Sequence, residues 1–318
     1  MTVARTIRGL MLVGLVGLCG CSELQARRHA RLGNDHYREG DYAGAVREYQ
    51  EADQLYPGLP VVVLNLGLAC RQQLIPGSRT AENERAVKCA LSAFQRLQEL
   101  KPDDPRGEQL YIQTLFDADR YDELKSIYEA RLRAKPDNMA AIEGMIQVSS
   151  RSNDWEQELK WTAKRADLRP DDAEAQYATG VFIWSILYRK GGAGEKAKFD
   201  PRPPVNEDDP PKVPPQFYPG EIAGKQRIEL ANQGLKYLER AVKVRPNYRE
   251  AIIYLNLLYR QKAFAFFDQP DRWLELLNEA DTWRKKAQAL TPQDSKKKNG
   301  ASESKQGSDE TNPAGAEH

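Results

Sequence analysis

Histidine and cysteine are the side chains here best suited to metal binding or redox chemistry, and both are scarce. The chain of 318 residues contains His29, His36, the terminal His318, Cys19, Cys21, Cys70 and Cys89. His29 and His36 are seven residues apart, so a helix would carry them on one face. A metal ion bound there would need further ligands, and we therefore expect both histidines to pack in a core.

No known catalytic motif accompanies these residues. The sequence has no glycine-rich phosphate loop, paired-cysteine zinc motif, HExxH helix or nucleophile elbow. Acidic pairs such as Asp117 and Asp119 are interpreted as solvated surface. The sequence thus predicts no enzyme, no cofactor, no metal and no small-molecule substrate. A redox or metal protein built on Cys70, Cys89 and the histidines is the alternative from another class.

The N-terminus has the pattern of an export signal. Arg5 and Arg8 precede an apolar stretch, residues 9–18, which is too short to span a bilayer stably. We predict a signal peptide over residues 1–20.

The end of this signal, Cys19-Gly20-Cys21, resembles the lipobox of bacterial lipoproteins, in which the final cysteine takes the lipid. We predict lipidation of Cys21 and a lipidated tether over 21–25; an ordinary signal with an incidental cysteine is the alternative. In such lipoproteins Ser22 after the cysteine favours the outer membrane. The resemblance implies a lipid-anchored protein of the cell envelope, on the periplasmic face of the outer membrane.

The elements that follow are marked by a recurring proline. Six apolar-rich helical runs each end in proline and a turn-forming residue, at Pro57, Pro102, Pro136, Pro170, Pro246 and Pro292. Their spacings are 45, 34, 34, 76 and 46 residues, which indicates a period of 34 with three insertions. A fixed period of this size predicts a stack of similar supersecondary units. Each proline is expected to end a helix, because it lacks the N–H and clashes with the preceding turn.

This pattern resembles the tetratricopeptide repeat (TPR) family, and the first unit carries the resemblance best. Its matching residues are Leu32, Gly33, Ala45, Tyr49, Ala52 and Pro57, with Gly40-Asp41-Tyr42 at the turn between helices A and B. Later units match less completely. The resemblance implies an all-α fold, an α-solenoid of about six helix-turn-helix units forming a right-handed superhelix over residues 26–292.

Two segments fall outside the repeats. A proline-rich insertion at 190–224 interrupts the fifth unit, and we read it as an exposed spacer, with a docking arm ending in Phe217-Tyr218-Pro219 as the alternative. The low-complexity tail at 293–318 is predicted to be disordered.

Cys70 and Cys89 map to the two helices of the second unit. In an exported protein such a pair can form a disulfide. Two buried free cysteines are the alternative.

In the TPR family, set positions of helix A line a concave groove that binds peptides. The residues at these positions here are Asn34, Tyr37, Arg38, Arg71, Gln109, Gln113, Phe116, Glu143, Gln147, Arg151, Tyr177, Trp184 and Arg260. Amides suit a peptide backbone and rings suit its side chains. Some members of the family bind acidic C-termini through a clamp of set residues. Here only Asn34 and Asn65 partly match those residues. Solvent-exposed filler is the alternative for any single residue.

The charge balance of the chain argues against nucleic-acid binding. The formal charge is +1 with 29% charged residues, whereas nucleic-acid binders show a strongly basic balance or stripe. The resemblance implies a non-catalytic adaptor or assembly factor that binds one or more envelope proteins or peptides, comparable in build to pilotins and outer-membrane assembly subunits. A structural spacer with an idle groove is the alternative.

Overall fold

The computed structural model describes residues 22–192, 220–266 and 268–290. All regular structure in these ranges is helical, which confirms the all-α prediction of helix-turn-helix units. The predicted signal peptide, Cys21, most of the proline-rich insertion and the tail lie outside them. None of the helices in the described ranges is long and apolar enough to cross a membrane.

The chain divides into an N-terminal half ending at Arg133 and a C-terminal half beginning at Ala134. The helices of the N-terminal half form repeats one to three; α6 ends one residue past the division. They are α1 (22–39), α2 (Tyr42–Leu55), α3 (Pro60–Gln72), α4 (Ala81–Leu100), α5 (Arg106–Asp117) and α6 (Tyr121–Ala134).

The helices of the C-terminal half form repeats four to six. They are α7 (Met139–Arg151), α8 (Trp155–Leu168), α9 (Ala173–Lys190), α10 (Gly224–Val244), α11 (Arg249–Ala263) and α12 (Pro270–Ala289), with a short 3-10 turn at Phe264–Phe266.

Four of the recurring prolines, each in the described part of the chain, follow directly after the end of a repeat's second helix. Tyr56, Lys101, Arg169 and Arg245 each precede a proline and have φ between −125° and −143°, outside the helical region. A proline ring clashes with a helical residue before it, so the chain turns extended at that point. The proline phase of the sequence therefore corresponds to real helix ends at these four positions.

The turn between paired helices needs a left-handed residue. Gly40, Asp119 and Asn153 occupy the same position in repeats one, three and four, with φ of 81°, 54° and 55°. Glycine, aspartate and asparagine are the residues that tolerate this conformation. Repeats two, five and six are longer than the period of 34 residues. Their additional residues lie between the two paired helices or lengthen the helices themselves.

Close helix approach depends on one glycine in each of repeats one, two and five. A Cβ atom on Gly33 would lie 2.7 Å from the Tyr49 ring, one on Gly67 2.5 Å from the Phe94 ring, and one on Gly180 2.4 Å from Leu238. The family-like glycine thus makes room for a large side chain of the second helix, which is fully buried there.

Phe264, in the 3-10 turn after α11, is buried and packs under the guanidinium of Arg227 of α10.

Candidate binding surfaces

Three predicted groove residues line one pocket in the N-terminal half. Asn34, Tyr37 and Arg38 of α1 face α3, and Tyr49, Asn65 and Leu68 complete the walls of a cavity of about 370 Å³. We call it the α1–α3 pocket. The first helices of repeats one and two therefore bring together residues that lie 31 positions apart in the chain.

Hydrogen bonds fix the polar groups of the α1–α3 pocket. Asn34 Oδ1 accepts from the Tyr49 hydroxyl at 2.7 Å and from Asn65 Nδ2 at 3.1 Å. Burial raises the pKa of the Tyr49 phenol, which keeps it a donor. The two asparagines therefore bind each other, and Asn34 retains its Nδ2 as a donor toward the cavity.

Tyr37 and Arg38 form the outer wall of the same pocket. The Tyr37 hydroxyl accepts from Gln72 Nε2 at 3.2 Å, so its own proton remains to donate. The Arg38 side chain pairs with Asp35 and is 75% exposed. Its charge is thus presented at the mouth of the pocket rather than buried within it.

Arg71 and Gln113, two of the predicted groove residues, belong to one polar network. Arg71 Nη2 donates to Asp117 Oδ2 at 2.6 Å, and Gln113 Nε2 donates to Asp117 Oδ1 at 2.9 Å. Asp117 is half-buried, so the interpretation of this carboxylate as solvated surface was wrong. The network ties α3 to α5.

The remaining predicted residues of repeats three and four lie at the surface. Gln109, Gln147 and Arg151 are exposed. Phe116 is half-buried, with its ring edge-on to Tyr121 at 6.5 Å. Glu143 faces Arg169 at 3.6 Å. None of these residues lines the α1–α3 pocket.

In the C-terminal half, the predicted Tyr177 and Trp184 belong to a continuous line of five rings. We call it the aromatic row, in the order Tyr248, Tyr177, Tyr254, Trp184 and Tyr188. Successive ring centroids are 4.9, 5.8, 5.2 and 5.1 Å apart. Such spacings suit edge-on and stacked contacts, which order the rings.

Helices α9 and α11 supply four of the rings, and Tyr248 is the residue immediately before α11. Tyr177, Trp184 and Tyr188 are separated by seven and four residues, so they share one face of α9. Tyr188 was not among the predicted groove residues, although this helical spacing was a visible signal. Tyr248 and Tyr254 were not predicted either, because their place in the row depends on the packing of α11 beside α9.

Only one of the polar groups on the aromatic row is hydrogen-bonded within the described part of the chain. The Tyr248 hydroxyl bonds Glu174, Arg245 lies 4.4 Å from the centre of its ring, and the Tyr248 pKa is raised chiefly by burial. Within the described ranges, four polar groups of the row have no hydrogen-bond partner: the hydroxyls of Tyr177, Tyr254 and Tyr188 and Nε1 of Trp184. The atoms of Tyr177, Tyr254 and Trp184 are not fully buried, and Tyr188 is an exposed residue. The row therefore offers four donors.

Arg260 does not line an open surface. Its Nη2 donates to Asp281 Oδ1 at 2.6 Å and its Nε to Asn256 Oδ1 at 2.9 Å, and its side chain is only 13% exposed. The ion pair ties α11 to α12 and leaves little of the Arg260 side chain accessible.

Cys70 and Cys89 are joined as a disulfide between α3 and α4, with their Cα atoms 5.9 Å apart. Cys70 is buried against Phe94 and Ala90. The bond fastens the two helices of repeat two next to the α1–α3 pocket.

The histidines are not core residues, contrary to expectation. His29 Nδ1 lies 2.8 Å from Glu48 Oε2 and His36 Nδ1 lies 3.0 Å from Asp41 Oδ2, and each imidazole is about one-third exposed. Among the residues that the structure describes, no three His, Cys, Asp or Glu side chains group as a metal site.

No protein-family model and no curated protein matches the chain. Similar solved structures include the MamA protein, at 11% identity over 82% of this chain and 93% of that chain, with a TM-score of 0.24. YrrB, a TPR protein with an unusual peptide-binding site, is 13% identical over 76% and 96%, with a TM-score of 0.33.

A TPR repeats protein from Bacteroides fragilis NCTC 9343 is 16% identical over 73% of this chain and 97% of that chain, with a TM-score of 0.41. TM-scores below 0.5 are too low to assign the chain a family or a function.

Proposed function

We propose that this protein is a non-catalytic adaptor or assembly factor that holds a partner protein at the bacterial cell envelope. The observation that carries the proposal is the α1–α3 pocket, where Asn34, Tyr37 and Arg38 meet Asn65. These residue types were expected from the sequence to bind a peptide, and here they share one cavity.

The chemistry of the pocket favours an extended peptide segment. Asn34 Nδ2 and the Tyr37 hydroxyl are donors for backbone carbonyl oxygens, and Leu68 with the Tyr37 ring gives an apolar wall. A cavity of about 370 Å³ lies near the lower end of the range for ligand pockets, so it holds only a short part of a peptide. Affinity for a longer partner therefore requires neighbouring surface, for which Arg38 at the mouth supplies charge.

We further propose that lipidated Cys21 anchors this surface to a membrane. Helix α1 begins at residue 22, directly after the proposed lipid site, so residues 22–25 of the predicted tether form its first turn and the helix starts close to the acyl chains. The α1–α3 pocket would then face partners that lie close to the membrane, in keeping with the proposed location on the periplasmic face of the outer membrane.

Replacing the lipid site tests the anchoring separately from partner binding. Cys21→Ser is expected to move the protein from the membrane fraction to the soluble fraction of lysed cells, because acyl chains supply the membrane affinity. Cys19→Ser is the matched control and should leave fractionation unchanged. A Cys21→Ser protein that still sediments with membranes would contradict lipid anchoring at this residue.

Partner binding is tested by affinity purification of the tagged, lipidated protein from cross-linked envelopes, followed by mass spectrometry. A small and reproducible set of envelope proteins is expected. A folded, membrane-bound protein that captures nothing would contradict the adaptor role and favour a structural spacer.

A further inference from the structure

The two ends of the segment 193–219 are held together at the end of α9. The backbone N–H of Ile222 donates to the carbonyl oxygen of Lys190 at 3.0 Å, and Lys190 Nζ lies 2.8 Å from Glu221. A Cβ on Gly220 would lie 2.2 Å from the Lys190 oxygen, so the two backbones touch there. The segment therefore leaves and re-enters the fold at one point, which we call the neck.

A buried arginine is hydrogen-bonded to the backbone of the neck. Arg227 of α10 is 1% exposed and donates to the carbonyl oxygen of Gly191 and, at 2.6 Å, to that of Gln261. Desolvation lowers its pKa to about 10, and it remains charged at neutral pH. This arrangement fixes where the segment starts and ends.

The neck lies at one end of the aromatic row. Tyr188, the last ring, is two residues before Lys190 and is 37% exposed. The 27 residues from 193 to 219 have an extended length of roughly 84 Å at about 3.1 Å per residue. Because successive rings lie within 6 Å of each other, the segment is long enough to follow the row and return.

The chemistry of the segment complements the row. Its sequence between 201 and 219 contains eight prolines, together with Phe217-Tyr218. Proline-rich segments dock on lines of aromatic rings, and their carbonyl oxygens accept hydrogen bonds because extended chains make none internally. Four unused donors lie along the row, and Arg189 beside Tyr188 is exposed, opposite in charge to Glu207-Asp208-Asp209 of the segment.

We propose that the aromatic row binds the chain's own proline-rich segment, residues 201–219. This inference is independent of partner binding at the α1–α3 pocket, which lies in the other half of the chain.

Proteolysis of the full chain tests the contact. Trypsin cleavage after Lys212, within the segment, is expected to be about tenfold faster in Trp184→Ala/Tyr188→Ala than in the unaltered protein. Tyr56→Ala is the control, because Tyr56 is also 37% exposed but lies in the N-terminal half. An unchanged cleavage rate in the double variant would overturn the proposal.

A binding measurement separates loss of the contact from local unfolding around α9. Residues 193–219 are replaced by two glycines, which the closed neck permits, and a synthetic peptide of residues 201–219 is titrated by calorimetry. The shortened protein is expected to bind the peptide at least tenfold more tightly than the full chain does. Equal binding by both would mean that the row is open to partners in trans, and no binding by either would mean that the row does not recognise the segment; both results overturn the proposal.

Discussion

Phe94→Ala is expected to lower the free energy of unfolding by about 3–5 kcal/mol, the largest loss of any single substitution considered. Phe94 is fully buried, and its ring fills the space left by Gly67 between α3 and α4. Truncation removes the ring's burial and leaves a cavity that two helices joined by a disulfide cannot readily close. Urea unfolding followed by far-UV circular dichroism measures the change.

Tyr56→Ala is the matched control, because Tyr56 is an aromatic residue of the same half with 37% of its surface exposed. Its loss should stay within about 0.5 kcal/mol. If Phe94→Ala were also this mild, the packing between α3 and α4 described here would be wrong.

Removing the disulfide is expected to cost about 3 kcal/mol. Cys70 and Cys89 are 19 residues apart. Closing a loop of that length removes conformational entropy from the unfolded chain, which stabilises the folded state by about 3 kcal/mol. Cys70→Ala/Cys89→Ala should therefore unfold at lower urea concentration than the oxidised protein.

Reduction supplies the control for this prediction. Dithiothreitol should lower the stability of the unaltered protein to near that of the double variant and should leave the variant unchanged. An unaltered protein whose stability does not respond to reduction would show that the bond contributes nothing to folding.

The helical framework could be predicted because its causes are local. A proline forces the preceding residue out of the helix wherever it occurs, and Gly40 marks a turn by its own backbone preference.

The binding surfaces could be predicted only in part, because side-chain partners come from distant positions. Arg71 occupies a groove position, but Asp117, 46 residues later, neutralises it. Arg260 likewise forms an ion pair with Asp281 of the next helix. A repeat position specifies which way a residue faces, whereas the identity of its neighbour depends on the packing of another helix.

The aromatic row illustrates the same point in the opposite direction. Tyr177 and Trp184 were identified by position, yet a continuous row exists only because Tyr254 of α11 lies between them. Its role depends on contacts between α9 and α11 that no single repeat contains.

The most direct test of the account compares the cross-linked partners of the unaltered protein with those of Asn34→Ala/Tyr37→Ala. Both substitutions lie in the α1–α3 pocket, and both side chains are at least partly exposed, so the fold should persist, as circular dichroism can verify. Gln147→Ala, an exposed groove position of the other half, serves as the control. We expect Asn34→Ala/Tyr37→Ala to lose the envelope proteins that the unaltered protein and the control both capture. Capture of the same proteins by all three would contradict partner binding at this pocket.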